Sequence, residues 1–489
     1  MTLFTAQASG QGRPLFVDLD GTLVRTDMLY ESLLGRLKRD WTLPLRLPLW
    51  VLGGKARLKA ALAQGYDSAP SGLPYNPAVL DHIRQAREEG RPVYLATASH
   101  VSIAEPISQY LGVFDGVIAT EDDVNISGVR KLEKMRTLAG SNDFEYLGNS
   151  RDDVPIWDAC SHAGLVEPDA AARQWLARHP DKGRNLSADG AASPSSKWRD
   201  RLRLLRPHQW AKNVLLAVPL VTAHLAFDPA SLWVILLAFV AFSLCASSVY
   251  VLNDMLDLNA DRAHPRKRRR PLASGAVPLT FGFVAVPVLL VAAFAVGALV
   301  NTDFLAVLAG YLLLTIAYSF SLKRKMAVDV LTLAALYTIR IVAGTAGLSI
   351  TPSNWLLGFS TFLFFGLALI KRSSELMVAA DTGKVGASGR NYLVDDLAMV
   401  NSMGVASSFL SVLVLALYIS SPDVSRLYAH SAILWLLCPL LLYWLTRLWL
   451  ITRRGGMHDD PVVYAAKDGI SHAVGVCGLA VVLAGSVPW

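Results

Sequence analysis

With 489 residues the chain is too long for one ordinary domain, and its 53% hydrophobic and 17% charged residues look like the average of two unlike parts. The net charge of +7 is concentrated in loops beside apolar runs, so we interpret it as a topology and phosphate-binding signal and expect no nucleic-acid partner. The four cysteines are widely scattered, which indicates neither a disulfide framework nor a zinc site. Residues 1–12 lack a basic region followed by an apolar core, so we expect no secretory signal.

The first part of the chain, up to about residue 200, has the mixed polar pattern of a soluble domain. Residues 13–24 (R-P-L-F-V-D-L-D-G-T-L-V) predict a strand that ends at Asp18 and Asp20, followed by a glycine turn. Two carboxylates at one strand end can supply a nucleophile and an acid/base partner near a single metal ion.

Three further polar positions follow in order along this soluble part. A helix at about 77–90 is followed by a second predicted strand, which contains Thr97. Lys131 comes next along the chain, and Asp153 follows a third predicted strand. This order of motifs resembles the haloacid dehalogenase-like phosphohydrolases over about residues 13–180. The resemblance implies an α/β Rossmannoid fold with a small helical cap at about 25–75.

The resemblance also implies a role for each residue. Asp18 would be the phosphoryl-accepting nucleophile and Asp20 the general acid/base, while Thr97 and Lys131 would bind the phosphoryl group. Mg²⁺ would be held by Asp18, Asp20 and Asp153.

The fourth motif departs from the family pattern, which usually begins Gly-Asp. Here it is Gly148-Asn149, so one metal-supporting carboxylate is missing, although Asp152 or Asp153 could compensate. Two alternatives stay open on the sequence alone: an active phosphatase, or a degenerate regulatory or scaffold domain.

We predict a soluble domain at 1–182, a linker at 183–200 and a membrane domain at 201–489. The linker is rich in Ser, Gly and Ala, which is typical of a flexible segment. Within the predicted cap, residues 41–52 are markedly apolar but shorter than a membrane span. They could rest on the bilayer surface or pack within the cap.

The second part is predicted to be all-α and polytopic, with about nine transmembrane helices. The predicted spans lie near 213–227, 231–252, 279–300, 303–321, 329–347, 354–371, 399–420, 431–451 and 470–487. Lys and Arg are concentrated in one set of loops, so the positive-inside rule places those loops and the soluble domain in the cytoplasm. We therefore expect a multi-pass protein of the inner (cytoplasmic) membrane.

The most informative stretch is residues 253–275, where three carboxylates are followed by a basic run at the end of an apolar helix. Asp254, Asp257 and Asp261 have the spacing that places them on one helical face. Clustered carboxylates that hold Mg²⁺ beside cations suit a diphosphate leaving group. The candidate diphosphate ligands here are Asn253, Arg266, Lys267, Arg268 and Arg270. The alternative is a solvated loop with a topology signal, which explains the basic run but not the aspartates in helical register.

Other cytoplasmic loops add cations and a carboxylate. Lys212 lies in the segment 206–213 (R-P-H-Q-W-A-K-N), and Lys323 lies in the third loop. Further candidates for phosphate binding or orientation are Arg340, Lys371, Arg372 and Glu375. Arg340 lies inside an apolar span, so it either faces a cavity or forms a structural pair with a carboxylate.

The pattern N-D-x-x-D-x-x-x-D at 253–261 resembles the UbiA superfamily of intramembrane prenyltransferases. The resemblance covers about residues 200–489 and implies nine membrane helices around a cavity that holds Mg²⁺-diphosphate. More narrowly, the segments 206–213, 267–271 and 371–376 resemble the decaprenyl-phosphate phosphoribosyltransferase branch. That branch moves phosphoribosyl from 5-phosphoribosyl 1-diphosphate onto a polyprenyl phosphate.

A departure from the common superfamily pattern favours this branch. Most members that ionise a prenyl diphosphate carry a second D-x-x-x-D motif, but here Asp329 is followed four positions later by Leu333. A single carboxylate cluster with abundant cations fits a soluble sugar diphosphate donor.

The leading hypothesis is therefore a membrane transferase that uses a sugar diphosphate donor and a polyprenyl phosphate in the lipid bilayer. The fused phosphatase would remove the 5-phosphate from the product. One alternative is prenyl transfer from a prenyl diphosphate to an aromatic acceptor, as in quinone synthesis. Another is a non-catalytic membrane scaffold or lipid carrier.

Overall fold

The structure is a computed structural model that describes residues 12–40, 42–52, 54–64, 66, 69–121, 125–186, 194–386, 390–457 and 460–486. The chain divides into two compact units. Unit 1 comprises Met1–Leu205 with Val251–Ala285, and unit 2 comprises Arg206–Tyr250 with Val286–Trp489. The predicted soluble domain therefore shares a unit with the segment that contains the three aspartates.

Unit 1 is built on a parallel sheet of six strands in the order β3-β2-β1-β4-β5-β6. The strands are β1 (Leu15–Val17), β2 (Val93–His100), β3 (Gly116–Thr120), β4 (Glu145–Gly148), β5 (His162–Leu165) and β6 (Gly183–Asn185). The central strand β1 is buried at every position, as expected when helices cover both faces of a parallel sheet. It pairs with β2 and β4, so the carboxyl ends of these three strands meet at one edge. This arrangement confirms the predicted α/β fold.

The helices of the soluble part lie in the connections between strands, form the cap or, in the case of α9, follow the last strand. They are α1 (Met28–Arg39), α2 (Leu43–Leu52), α3 (Lys55–Ala63), α4 (Pro77–Glu88), α5 (Val101–Leu111), α6 (Val129–Ala139), α7 (Val154–Ala159), α8 (Ala170–Arg178) and α9 (Pro194–Leu205). The first three form the predicted helical cap. Helix α1 begins at Asp27, whose side chain accepts hydrogen bonds from the first-turn amides of Leu29 and Tyr30.

The apolar cap segment and the predicted linker contain regular elements. Helix α2 buries Leu43 but leaves Leu49 and Leu52 exposed, so cap packing accounts for only part of its apolar surface. Trp41 lies outside the described residues. Strand β6 lies inside the predicted linker and extends the sheet, because its backbone pairs with β5. The basic end of the predicted linker, from Pro194 onward, belongs to helix α9. Residues 187–193 lie outside the described residues.

Long apolar helices make up most of the remainder. The helices are α10 (Val218–Thr222), α11 (Pro229–Leu256), α12 (Leu258–Ala263), α13 (Leu279–Ala298), α14 (Thr302–Phe320), α15 (Val328–Gly347), α16 (Asn354–Asp381), α17 (Leu397–Ile419), α18 (Pro422–Leu427), α19 (Leu437–Arg453), α20 (Pro461–Ala465) and α21 (Gly469–Ser486). Within the described residues, eight helical segments are long and apolar enough to cross a membrane. The protein is therefore a multi-pass membrane protein.

The predicted first span, near 213–227, has a different form. Residues Pro207–Ala217 form 3₁₀ turns, followed only by the five-residue helix α10. Pro207 and Pro219 lie within the first two positions of the 3₁₀ segment and of α10, where a missing amide hydrogen is tolerated, so each proline marks the start of its element.

Small residues permit close helix packing in unit 2. A Cβ atom on Gly404 of α17 would lie 2.3 Å from Cζ2 of Trp449, and one on Gly366 of α16 would lie 2.6 Å from Oγ of Ser408. Glycine at these positions allows the backbones of α16, α17 and α19 to approach closely, as is common between membrane helices.

Candidate active sites

The first site lies at the carboxyl edge of the sheet in unit 1. Asp18 directly follows β1, and its Oδ1 is 2.9 Å from Nζ of Lys131. The same Nζ lies 3.5 Å from Oδ1 of Asp153 and donates to the Tyr146 hydroxyl at 2.6 Å. The Tyr146 hydroxyl in turn donates to Asp153 at 2.5 Å. One buried lysine thus joins two of the predicted site carboxylates.

Burial controls the proton affinity of this site. Burial raises the pKa of the Asp18 carboxyl to about 7, and the adjacent Lys131 ammonium opposes this only in part. Burial also raises the pKa of the Asp20 carboxyl to about 6. Hydrogen bonds from the Ser99 hydroxyl (2.6 Å) and the Met28 amide (2.7 Å) favour the ionised carboxylate and oppose this rise in pKa. A carboxyl group that exchanges its proton near neutral pH suits a general acid/base, the role predicted for Asp20.

The remaining predicted residues border the same edge. Thr97 is fully buried on β2, and its hydroxyl accepts a hydrogen bond from the Ser99 amide at 2.9 Å. Asp153 Oδ2 accepts hydrogen bonds from the backbone amides of Asn149 and Ser150, each at 3.0 Å. These bonds hold Asp153 beside the strand end where the family motif usually has its Gly-Asp aspartate.

The donor atoms at this edge are hard oxygens, the type that Mg²⁺ prefers. Asp18 and Asp153 offer carboxylates, and the Asn149 side chain offers an amide oxygen. Within the described residues no three His, Cys, Asp or Glu side chains form a metal-binding group. Mg²⁺ commonly uses one or two carboxylates together with substrate phosphate and water, so the residues present fit that type of site.

The aspartate motif spans the end of α11 and the short helix α12, and its residues 253–261 lie in unit 1. Helix α11 ends at Leu256 and α12 begins at Leu258, so Asp257 stands at the junction. The predicted single helix is therefore interrupted, although the amides of Asp257 and Asp261 still donate to the carbonyls four residues earlier, at 2.9 and 2.8 Å. Asp257 at the interruption has a φ of −96° and a ψ of 15°.

Arg270 joins the two outer aspartates of the motif. Its Nη1 lies 2.9 Å from Oδ1 of Asp254 and 2.6 Å from Oδ2 of Asp261. Both carboxylates are almost fully buried, whereas Arg270 is half-buried. Asp257 instead lies 3.6 Å from Nζ of Lys38 on α1. Asn253 is half-buried, and the candidate cations Arg266, Lys267 and Arg268 are exposed.

Unit 2 contains a buried carboxylate between two candidate lysines. Asp460 Oδ2 lies 2.8 Å from Nζ of Lys212 and 3.3 Å from Nζ of Lys371, while its Oδ1 accepts a 2.5 Å hydrogen bond from the Tyr337 hydroxyl. Burial alone would raise the pKa of the Asp460 carboxyl, but the two ammonium groups hold it well below its ordinary value. Two cations that share one carboxylate retain positive charge, which suits a phosphate ligand.

A second buried group in unit 2 surrounds Arg340. Its guanidinium donates to Oδ1 of Asn213 at 2.9 Å and to the Tyr311 hydroxyl at 3.2 Å, and it also contacts the Leu336 carbonyl. Asn213 donates in turn to the Ser243 hydroxyl of α11 at 3.0 Å. The partners found for Arg340 are neutral, so its positive charge is not cancelled by a carboxylate among these contacts.

A third group is centred on Asp329, which is fully buried. Its Oδ2 lies 3.0 Å from Arg372 Nη2 and 3.0 Å from Arg390 Nη1, and its Oδ1 accepts from the Tyr392 hydroxyl at 3.0 Å. Glu375 also contacts both arginines. Arg372 is fully buried in this network, an arrangement typical of a structural ion pair. Lys323 lies half-buried in the 3₁₀ turn Leu322–Arg324.

Replacing Asp329 with Asn should strongly destabilise unit 2, because the fully buried Arg372 would lose its buried carboxylate partner and keep only Glu375, which is partly exposed. Breaking one side of a buried ion pair costs about 3–5 kcal/mol. Thermal unfolding of the full-length protein in detergent measures the change. Asp395→Asn removes an exposed carboxylate and should change stability by less than about 0.5 kcal/mol. Equal melting temperatures for the two variants would contradict the structural assignment of Asp329.

Sequence reasoning did not identify Asp460 or Arg390 as site residues. Asp460 stands immediately before Pro461 at the start of α20, and its side chain accepts from the Val462 amide. That pattern signals a helix start and nothing more. Its contact with Lys212 spans 248 positions of the chain, so no local pattern could have revealed it.

Together, a parallel sheet with a buried aspartate at its carboxyl edge and a set of membrane helices with an aspartate motif define a membrane enzyme with a soluble hydrolase domain. The sequence matches the UbiA prenyltransferase family over residues 214–466 and the haloacid dehalogenase-like hydrolases over residues 15–156. The chain belongs to the UbiA prenyltransferase family, which confirms the resemblance inferred from the motifs.

Two relatives match different shares of the chain. The uncharacterized protein y4nM of Sinorhizobium fredii is 39% identical over 464 residues, which are 94% of this chain and 89% of y4nM. The decaprenyl-phosphate phosphoribosyltransferase of Mycolicibacterium smegmatis is 35% identical over 215 residues, 43% of this chain and 68% of that protein. Among solved structures, a UbiA homolog from Archaeoglobus fulgidus bound to GPP and Mg²⁺ is 17% identical with a TM-score of 0.45, covering 58% of this chain and 99% of that one.

Proposed function

We propose that the membrane domain transfers phosphoribosyl from 5-phosphoribosyl 1-diphosphate to a polyprenyl phosphate in an Mg²⁺-dependent reaction. The observation that carries this proposal is the state of Asp329, which stands where a second acidic motif would begin. It is fully buried between two arginines, Arg372 and Arg390, and the Tyr392 hydroxyl, whereas Asp254 and Asp261 share the single, half-buried Arg270. A single acidic motif with many cations fits a sugar diphosphate donor, and the similarity to the mycobacterial phosphoribosyltransferase supports the same donor.

The proposed reaction is a substitution at the anomeric carbon of ribose. An acceptor phosphate oxygen forms the new bond to that carbon, while the bond from the carbon to the diphosphate oxygen breaks and its electron pair leaves with the diphosphate. The attacking phosphate is already ionised at neutral pH, so no strong general base is required. Catalysis then consists mainly of positioning and charge stabilisation.

Each group of residues has a distinct proposed role. Bound Mg²⁺ would neutralise the leaving diphosphate and make it a better leaving group. Asp254, Asp257 and Asp261 would hold that ion, and ligand binding would have to release the outer pair from Arg270. The exposed cations Arg266, Lys267 and Arg268 would contact donor phosphates. Lys212 and Lys371, which both contact Asp460, are the best placed of the unit 2 candidates to bind a phosphate group.

The soluble domain is proposed to remove the 5-phosphate from the lipid-linked product. The Asp18 carboxylate would attack the phosphorus, and the ribose oxygen would leave with a proton from Asp20. A water molecule deprotonated by Asp20 would then hydrolyse the phosphorylated Asp18 and release phosphate. Lys131 and Thr97 would orient the phosphoryl group. The positive-inside distribution of Lys and Arg supports a cytoplasmic location for this domain on the inner membrane.

The test follows label from the donor into lipid. Membranes containing the protein are incubated with Mg²⁺, a polyprenyl phosphate and 5-phosphoribosyl 1-diphosphate labelled in the ribose. We expect label in the organic phase, dependent on the polyprenyl phosphate and lost when EDTA removes Mg²⁺. A parallel incubation supplies a labelled prenyl diphosphate and an aromatic acceptor. Product in that second reaction alone would overturn the proposal in favour of ordinary prenyl transfer.

A further inference from the structure

Helix α1 of the soluble cap contacts the segment that carries the aspartate motif, and both lie in unit 1. Glu31 of α1 and Arg262 of α12 form a bidentate ion pair, with Nη1 to Oε2 at 2.9 Å and Nη2 to Oε1 at 2.7 Å. Their side chains are only 3% and 5% exposed. The two residues are 231 positions apart in the chain. Arg262 directly follows Asp261, the last aspartate of the motif.

Neighbouring groups hold both members of this ion pair. The Thr26 hydroxyl donates to Oε1 of Glu31 at 2.6 Å, and Nε of Arg262 donates to the Ala273 carbonyl at 3.1 Å. A buried, bidentate and further hydrogen-bonded pair defines orientation more strictly than an exposed pair does. The pair therefore holds α1 in a defined position relative to α12.

Backbone packing supports the same contact. Gly275 has a φ of +74°, and a Cβ atom placed on it would lie 2.4 Å from the carbonyl oxygen of Arg25. The segment after the aspartate motif thus touches the backbone just before α1. The rings of Tyr30 on α1 and Phe283 on α13 lie 5.1 Å apart, which adds an apolar contact.

This contact brings a cation to the centre of the motif. Lys38 lies seven residues after Glu31, about two helical turns, and so on the same side of α1. Its Nζ is 3.6 Å from Oδ1 of Asp257, and both side chains are partly exposed. A partly exposed ammonium group can exchange this carboxylate for an incoming phosphate oxygen without the cost of moving a buried charge.

We propose that helix α1 of the soluble domain is part of the diphosphate site of the transferase: Lys38 contacts the diphosphate beside Asp257, and the Glu31–Arg262 pair positions it. The identity of the donor in this inference rests on the proposed function. The role of α1 is tested separately, by the binding of Mg²⁺-diphosphate. Lys38 would balance charge on the leaving oxygen as the anomeric bond breaks. The soluble domain would then serve the transferase independently of its own nucleophile.

The experiment uses the full-length protein in detergent with Lys38→Met, Lys38→Arg and Glu31→Gln variants. Two quantities are measured: the affinity for inorganic diphosphate with Mg²⁺, from its effect on the melting temperature, and the KM for the sugar diphosphate donor. We expect Lys38→Met to lower the diphosphate affinity about tenfold and to raise the KM for the donor about tenfold, the size of one lost charged contact. Lys38→Arg should restore most of the loss because it keeps the charge.

Glu31→Gln should raise the same KM, and adding Lys38→Met to it should cause little further loss, because both changes act through one contact. Hydrolysis of p-nitrophenyl phosphate reports on the soluble site and should be unchanged in the Lys38 variants. Lys134→Met, which removes an exposed charge from α6, is the matched control.

Wild-type diphosphate affinity in Lys38→Met, or the same defect in Lys134→Met, would overturn the proposal. If Glu31→Gln fails to fold, the two Lys38 variants decide alone. If the wild-type protein binds Mg²⁺-diphosphate in a Lys38-dependent manner but transfers no phosphoribosyl label, the donor assignment fails and the role of α1 stands.

Discussion

Replacing Asp18 with Asn should abolish phosphate release while leaving lipid labelling intact. The amide has nearly the same shape but cannot attack phosphorus, and loss of a covalent nucleophile costs at least about 10³-fold in rate. We therefore expect lipid-linked phosphoribose to accumulate with its 5-phosphate in place. Mass spectrometry of the extracted lipid and a phosphate-release assay measure both consequences.

The matched control for this experiment is Asp81→Asn, which removes an exposed carboxylate paired with Arg84. It should leave phosphate release unchanged. If wild-type and Asp18→Asn proteins release phosphate equally, the activity does not come from this site. If neither releases phosphate from the lipid or from small phosphate esters, the domain is a degenerate scaffold, the alternative that Asn149 raises.

Replacing Asp254 with Asn should reduce phosphoribosyl transfer by about 10²- to 10³-fold, the range for one lost electrostatic contact in a transition state. Asp254 is buried and shares Arg270 with Asp261, so the change removes one of two carboxylates that face one cation. The rate of label transfer into the organic phase measures the loss. Raising the Mg²⁺ concentration should recover part of it if the carboxylate acts through the ion.

Asp303→Asn provides the control, because Asp303 is an exposed carboxylate in the first turn of α14. Phosphatase activity should be normal in both variants. Transfer at the wild-type rate in Asp254→Asn would remove the aspartate motif from the mechanism. A loss that appears equally in phosphatase activity would instead indicate that unit 1 had unfolded.

The motif order was sufficient to predict the architecture of the soluble part. Strand β1 is a short buried apolar run that is followed by Asp18 and Asp20, and that local pattern specifies both the strand and the place of Asp18 directly after it. The apolar lengths of the membrane helices are equally local properties, so eight spanning helices could be predicted from composition. The segment near 213–227 was the exception, because it forms 3₁₀ turns and a five-residue helix in place of a long one.

Side-chain partners depended on the tertiary structure. The sequence alone determined that this protein has a phosphohydrolase-like domain and a UbiA-type membrane domain, since motif spacing and hydropathy are read within short windows. It could not show that Lys131 joins Asp18 to Asp153, that Asp460 holds Lys212, or that Glu31 holds Arg262. Each of these contacts joins different elements of the fold, and only the packing of helices and strands determines which charges are buried together.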